Sequence, residues 1–593
     1  MTSENVTDGI NRRTVLKSTI AGGAALLAGC SDDAPAAGDD TGDGNHWIGA
    51  QGSEAPNYNV FRITDTTSGD RVTRVMDPAY AFDENDEFVP RLVRDYEVND
   101  DFTEWTFTLT EYGEWSEPYG EMTADDWVYS ITEIIQGEDN WAAVSMADDW
   151  RMPVDAVPDG FEAADEDGEQ AWFNVEQTGD YEFTVEMPEP FPGFLEEPIL
   201  WGFQEVVPRE LAEPYVEDRD GEGLNEDDEI QELSYTGNLG AFTVEVLETE
   251  ARMYAPRSDD YYLRNYEGHE DSPHIDEWTY EVMGEESTRL SAIQAGEITA
   301  AGIPARRAEE FDGMDDVQVI STPTVYCQSM FYNMRDDGWE ALDIPEVRQA
   351  ITMAVDRQSI VDDIQYGYGT VAHTLSPEYS DFYDDSEVAE WEYDPDGARD
   401  RFENNLPDGY GYDDGRLVDA DGEEVVLNYV FSDSADDTEL VARFIQDELD
   451  ENLGLEVELD PVPWNTMLDD YLYAEPGDSR EWDFMAGIGR NSYPRAPEAT
   501  EGFWRPGESV NGYGYDDPEG VADMLSEAAT TPDQDERQRT LAEAFGILSE
   551  EQPWMFLYFP EDLNGYRHHV DPTEEPSIAW GYDVHRWEIE AEQ

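Results

Sequence analysis

An α/β protein of more than one domain is what the sequence predicts, and three observations carry the prediction. The chain's 593 residues exceed what one core of ordinary size organises, so two or three domains are expected. Between Asp343 and Pro377, apolar residues recur at helical spacing, with Val347, Ala350, Ile351, Ala354 and Val355 on one face. From Trp105 to Thr110 and from Tyr181 to Glu186 the period shortens to two, the alternation of half-buried strands.

Composition narrows the setting. Acidic residues number 142 and basic residues 32, a formal charge of −110, and Lys17 is the single lysine. Such a surface repels itself in dilute buffer and becomes tolerable when concentrated salt shortens the range of repulsion. The pattern resembles haloarchaeal-type proteins, made by cells that accumulate salt. It excludes nucleic acid as a partner, because phosphates demand a basic face. It does not imply disorder: 17 Trp, 32 Tyr and 23 Phe are ample core material.

Taken in order, the chain opens on NRRTVLKSTIAGGAALLAGC, where Arg12 and Arg13 form a twin-arginine pair ahead of an apolar run too short to span a bilayer. Leu27 to Cys30 resembles a lipobox, in which cleavage leaves Cys30 as the lipid-carrying first residue. A twin-arginine signal addresses export of already folded protein. Loss of residues 1–29 removes three basic and two acidic residues, so −110 becomes −111. The remaining cysteine, Cys327, then has no partner for a disulfide. Residues 30–45, SDDAPAAGDDTGDGN after the cysteine, read as a flexible acidic tether.

The folded body is expected to begin near His46, with a strand from His46 to Ala50. Thr123 is placed to cap a helix, with Asp125 and Asp126 in its first turn. The acidic stretches Asp155 to Gln170 and Glu217 to Glu232 read as surface insertions. Strands are expected at Thr279 to Val282, Ala300 to Ile303 and Tyr326 to Met334. In the stretch LDIPEVRQAITMAVDRQSIVDDIQYGYGT, Asp343 is the expected cap of a helix with Pro345 in its first turn and Glu346 completing a capping box. Asp356 is the expected cap of a second helix that buries Ile360, Val361 and Ile364 and stops near Tyr366 and Gly367.

This stretch, D-x-P-x-V-R-Q-A-I-x-x-A-V-D-R-x-x-I-V followed by G-x-G-T, resembles the family 5 solute-binding proteins, the peptide, oligopeptide and nickel receptors of ABC importers. Further matches occur in order at Phe88 to Ser130, Ser287 to Ile298, Phe444 to Leu459 and Glu550 to Phe559. The resemblance implies a two-lobed periplasmic-binding-protein-like fold, type II, of the large class with an extra subdomain in lobe I. It implies lobe I over residues 46–322, with an inserted subdomain at about 75–232, lobe II over 323–550, and a return to lobe I over 551–593. Crossings between lobes are expected near Ser321 to Val325 and Glu550 to Pro553. Tyr235 to Val246, YTGNLGAFTVEV, resembles a glycine-rich strand entry of the family, without its proline.

The same resemblance places candidate ligand contacts. The turn holding Tyr58 and Asn59 sits where the family has ligand-facing residues, and Tyr326, Trp464, Tyr493 and Trp504 fall in segments facing the groove. Their rings suit stacking on sugars or walling off peptide side chains. Family peptide receptors commonly carry an aspartate for the peptide's amino group in a D-Y-P-D-P-like segment. Here the segment is Gly489 to Pro497, GRNSYPRAP, with Ser492 at that place. Arg490 or Arg495 can pair with a carboxylate and Asn491 can bond a hydroxyl, so a neutral or anionic solute is expected: an oligosaccharide, or an N-blocked or acidic peptide.

No catalytic or metal constellation emerges. His269 and His274 are five apart with Pro273 between them, whereas a zinc-binding helix needs histidines four apart on one face. His568 and His569 are adjacent and point apart. Asp165 to Gly168 and Asp419 to Gly422 each hold two of the three alternating ligands of a calcium loop. Gly507 to Asn511 lacks the second glycine of a nucleophile elbow. The expected protein is therefore not an enzyme and uses no cofactor or metal. It is a monomeric receptor, lipid-anchored at the outer face of the cytoplasmic membrane, that captures a peptide or other small organic solute and delivers it to an ABC permease. The alternatives are an oligosaccharide receptor of the same fold and an extracellular hydrolase.

Overall fold

Trp554–Arg567, WMFLYFPEDLNGYR, is one strand shared by both halves of the body. Its first six residues are buried and apolar, as a strand covered on both faces must be, and exposure enters after Pro560. The structure, a computed structural model, describes residues 45–589 apart from 64, 83–87, 146, 196–204, 434–435, 475–479, 569 and 572–583. The chain divides into a leading unit, Met1–Asp43, and a body, Gly44–Gln593, and all that follows concerns the body. Arg12, Arg13, Cys30 and His569 lie outside the described residues.

The first half of the long strand pairs antiparallel with Tyr326–Tyr332 and with Gly369–Val371. Its second half pairs antiparallel with Val317–Pro323 and Ala300–Gly302. Beyond these, one arm of the sheet continues through His46–Gln51, Glu277–Val282, Arg252–Pro256 and Val246–Glu248. The other arm continues through Phe484–Asn491, Val426–Ser432 and Glu456–Val462. The result is a mixed α/β fold of two lobes. The two halves of the sheet join at two neighbouring stretches of chain, Thr324–Val325 and about Phe559–Glu561, which form the crossing.

Strand direction decides where a site can form. His46–Gln51 runs parallel to Glu277–Val282 and Ala300–Gly302. Val426–Ser432 runs parallel to Glu456–Val462 and Phe484–Asn491. Ala300–Gly302 descends the long strand from Tyr566 to Asn564, and Phe484–Asn491 descends Tyr326–Tyr332 toward Tyr326. The carboxyl ends of both parallel sets therefore point at the crossing.

Each lobe has its own core. In lobe I, Trp47 stacks on Trp278 at 3.8 Å with Tyr280 edge-on, and this core continues into a four-stranded sheet of Val93–Val98, Glu104–Leu109, Glu182–Glu186 and Asn174–Gly179. In lobe II both faces of the sheet are covered, one by Val347, Ala350, Ile351 and Leu449, the other by Trp504, Trp554, Leu541 and Phe545. The helix Pro345–Met353 buries Val347, Ala350 and Ile351, the face its spacing predicts.

Two local expectations are corrected. The helix is capped by Ile344, which offers no side-chain bond, because Asp343 ends a preceding turn of 3-10 helix, Glu340–Asp343. Asp356 does cap its helix, accepting from the Ser359 N–H at 3.0 Å. The stretch 217–232 is not only surface, since Leu224 and Ile230 are fully buried in the lobe I core. Residues 235–245 lead irregularly into the strand Val246–Glu248, and Gly240 lies against the Val75 backbone, where an added Cβ would come within 2.1 Å of the carbonyl carbon.

Candidate functional site

In open α/β sheets a ligand site forms outside the carboxyl ends of parallel strands, where backbone and loops converge. Here two such sets of ends face the crossing, and most sequence-predicted contacts lie there. After His46–Gln51 the chain turns through Asn57, Tyr58 and Asn59. After Glu456–Val462 comes Trp464, after Phe484–Asn491 come Ser492 and Tyr493, and Tyr326 starts the first strand of lobe II at the crossing.

Lobe I holds its turn rigidly. Tyr58 is buried and its hydroxyl accepts from Arg71 Nη1 at 2.7 Å, while Arg71 Nε donates to Gln51 at 2.9 Å. Asn59 is fully buried, and its Oδ1 accepts from the Phe61 N–H at 3.1 Å. Asn57 is tied to Asn225 and Gln231 at 3.0 and 2.7 Å, so the acidic 217–232 stretch clamps the turn. Tyr58 and Asn59 thus support the wall, and Arg71 and Gln231, with no local sequence signal, are the partners that fix it.

Lobe II offers accessible groups. Trp464 is 39% exposed at the head of Trp464–Met467. Tyr326 is half-buried, and burial, with the nearby Asp562 charge, raises its phenol pKa. Asn491 Oδ1 accepts from the Tyr493 N–H at 2.9 Å, and Ser492 N–H donates to Val325 O at 2.9 Å. Tyr493 adopts φ 44°, a left-handed conformation costly for a side chain of its size. The Ser492 hydroxyl is buried and has no partner among the described residues. Arg490 lies over Phe503 and Phe331, 5.0 and 5.5 Å from their centroids, and Nη2 donates to the Tyr473 hydroxyl at 3.4 Å. Phe331, Phe503 and Tyr473 are contributions the sequence did not reveal.

Trp504 sits apart from this group. It is fully buried, 4.5 Å from Trp554 centroid to centroid, and its Nε1 donates to Thr500 at 3.4 Å. Its ring serves the core and leaves no face for a solute in this conformation.

The lobes also meet away from the crossing tracks. Arg495 stacks on Phe82 of lobe I at 5.0 Å. Gly193 of lobe I abuts the ion pair of Glu498 and Arg537, whose side chains are 1% and 4% exposed.

Among the described residues no group of three or more His, Cys, Asp or Glu is arranged to hold a metal. His269 and His274 lie in an irregular turn around a cis Ser272–Pro273 bond. Asp165 Oδ1 accepts from Glu169 and Gln170 N–H groups, and Asp419 Oδ1 from those of Asp421 and Glu423, so these carboxylates close their own turns. No described helix is long and apolar enough to cross a membrane.

Two lobes joined by adjacent strands, with the carboxyl ends of their parallel strands facing the join, define the class of two-lobed solute-binding proteins. The chain belongs to the bacterial extracellular solute-binding proteins, family 5, whose model matches residues 87–511. It is 27% identical over 330 residues to the oligopeptide-binding protein AppA of Bacillus subtilis (strain 168), a match covering 53% of this chain and 56% of the relative. The chain thus spans little more than half the length of that curated relative. Its fold is similar to the structure of Bacillus subtilis AppA in complex with a nonapeptide, with TM-score 0.66, 19% identity, and 92% and 99% of the two chains covered. It is also similar to the ABC transporter substrate binding protein CtaP of Listeria monocytogenes, with TM-score 0.73, 17% identity, and 93% and 100% covered.

Proposed function

We propose that this chain is the solute-capturing receptor of an ABC importer, closing two lobes over a peptide-class solute and presenting it to a membrane permease. The observation that carries the reading is the convergence of both sets of parallel strand ends on the crossing, lined by the accessible Trp464, Tyr326, Arg490, Asn491 and Tyr493. Support for a peptide comes from relatives, one of them named for binding oligopeptides and solved with a nonapeptide. Affinity comes from burial and hydrogen bonding in a closed cleft, with no covalent step. The lobes we propose follow the strand pairing: lobe I to about Pro323, lobe II to the Phe559–Glu561 crossing, and lobe I again. The test is native mass spectrometry of protein purified in concentrated potassium chloride. A co-purified peptide is expected; a co-purified sugar, or turnover of peptides without retention, would replace this reading with the oligosaccharide receptor or the hydrolase.

The setting is part of the same proposal. Twin arginines Arg12 and Arg13 direct folded export, and lipid on Cys30 holds a monomeric receptor at the outer face of the membrane. Cys30→Ser is expected to release the protein into the medium, and retention at the wild-type level refutes the anchor. The charge of −110 adapts the protein to concentrated salt, so its melting temperature is expected to rise from dilute to multimolar potassium chloride. A salt-independent melting temperature refutes that adaptation.

A further inference from the structure

We propose that Arg490 binds a carboxylate of the solute, so that the cleft selects carboxylate-bearing ligands over neutral ones. The inference rests on the cleft being the solute site and names the chemistry it selects. Acids outnumber bases 142 to 32 in this chain, so an arginine ordinarily finds an acid within reach. In lobe II, Arg335, Arg399, Arg416, Arg443, Arg505 and Arg537 each have one within 4.0 Å. Arg357, which is buried, gives its donors instead to the carbonyl oxygens of Ala372, Phe556 and Trp391.

Arg490 has neither kind of partner. Among the described residues no carboxylate lies within 4.0 Å of it, its Nε is buried without an acceptor, and its one hydrogen bond is the 3.4 Å contact to Tyr473. It sits at the carboxyl end of Phe484–Asn491, one residue before the strand's last. The neighbours are aromatic: Phe331 is fully buried, Phe503 partly, and Tyr473 is 42% exposed at the rim. Rings under a guanidinium fix its plane by cation–π attraction. They also lower the local dielectric, which strengthens any ion pair formed there. Its remaining N–H donors form a planar fork, which matches a carboxylate through two parallel bonds. Ser492, two residues on and so on the same side of an extended chain, adds a buried hydroxyl without a partner among the described residues. Arg495 does not share this role, because its guanidinium is already stacked on Phe82.

The source of the carboxylate is either a peptide C-terminus or an acidic side chain, and the experiment separates them. Mature protein in multimolar potassium chloride is offered three pools of random tetrapeptides, and retained species are read by mass spectrometry. All are N-acetylated: one pool is C-amidated without acidic residues, one has free C-termini, and one is C-amidated with a glutamate. At least one carboxylate pool is expected to be retained on the order of tenfold better than the neutral pool, the scale of a hydrogen bond to a charged group. Arg490→Gln is expected to remove that preference, and Arg490→Lys, which keeps charge but not the fork, to recover part of it. Arg443→Gln, on an exposed helix face, is the control. Equal retention of all pools by the wild type, or an unchanged preference in a folded Arg490→Gln, overturns the proposal and leaves Arg490 as a packing strut. If no pool is retained, the peptide reading fails, and sugar acids against neutral sugars decide the carboxylate claim: equal or absent retention overturns it.

Discussion

Arg348 and Arg357, the arginines of the family-like motif, work on the backbone rather than on a ligand. Arg348 is 2% exposed and donates to the carbonyl oxygens of Leu342 at 2.7 Å, Glu551 at 2.7 Å and Gln552 at 2.9 Å. It thereby ties the first motif helix to the chain just before the crossing strand. Arg348→Met would leave three carbonyls without donors, each costing about 1–3 kcal/mol when buried. An unfolding free energy lower by roughly 3 kcal/mol or more is expected by denaturant titration at fixed salt; a loss below a third of that would show that water replaces the guanidinium. Titration supplies a second test at this scale. Burial, opposed by Arg91 and by Tyr261 and Tyr262, raises the Asp77 carboxyl to about 6 from its ordinary 3.8. A carboxyl raised on folding contributes stability that is fully present below its unfolded pKa and is lost as pH rises through the folded value. Asp77 therefore favours the folded state most below about pH 4 and least above about 6. His373 runs oppositely: burial, then the Arg357 charge, lowers it to about 4 from 6.5, so its contribution is present above 6.5 and lost as pH falls through 4. Between pH 7 and 5 the wild type is expected to gain stability relative to Asp77→Asn, which keeps an oxygen for both tyrosine hydroxyls. Parallel stability profiles for the two would remove Asp77 from the account.

Elements were readable where local pattern and tertiary demand agree. The strands at His46, Trp105, Tyr181, Thr279, Ala300 and Tyr326 form within a residue or two of their expected limits; at Trp105 and Tyr181 the period-two burial is written locally. The cap at Asp356 is likewise local. Asp343 was misleading because a preceding 3-10 turn moved the helix start by one residue. The stretch 217–232 was misleading because its buried residues, Gly221, Leu224 and Ile230, are scattered among acids. Trp464, Arg490, Asn491 and Tyr493, which the resemblance offered as contacts, each lie at or just after a strand's carboxyl end. Trp504 was not placed correctly from sequence, since its burial is decided by Trp554, fifty residues away. Phe331, Phe503 and Tyr473 come from three elements and share no pattern. The close packing of Gly240 leads to a test of what the glycines do. Gly240→Ala would drive a methyl into the Val75 backbone, which cannot rotate away as a side chain can, and is expected to destabilise by about 1–3 kcal/mol. Gly302→Ala, with nothing within 4 Å of the new Cβ, is expected to stay within about 0.5 kcal/mol of wild type. Equal effects in thermal melts at fixed salt would show that lobe I yields at the Gly240 contact.

At the scale of the whole molecule, the two tracks between lobes are joined by Thr324, whose N–H and hydroxyl both donate to Pro560 O, at 3.2 and 2.9 Å. Pro323 and Pro560 flank this point and have no N–H to donate, so the ladder is thinnest where the lobes meet and rotation is absorbed there most easily. A hinge of this kind closes only as far as opposing surfaces allow. Away from the tracks those surfaces are Arg495 on Phe82 and Gly193 against Glu498 and Arg537. A Cβ at Gly193 would lie 2.7 Å from Glu498 Oε1 and 3.2 Å from Arg537 Nη2. The pair cannot retreat cheaply, because separating two buried charges leaves each without compensation. Gly193→Val is therefore expected to hold the lobes apart while each lobe keeps its own core. If the closed form falls to a tenth of its wild-type population, apparent affinity for a retained solute weakens about tenfold. Small-angle scattering in concentrated salt reads the same event directly. Wild type is expected to contract when solute is added, and Gly193→Val, at an unchanged melting temperature, to remain expanded. A variant that contracts as fully as wild type would show that the Gly193 contact does not limit closure, and a wild type with identical profiles with and without solute would show that the crossing does not act as a hinge.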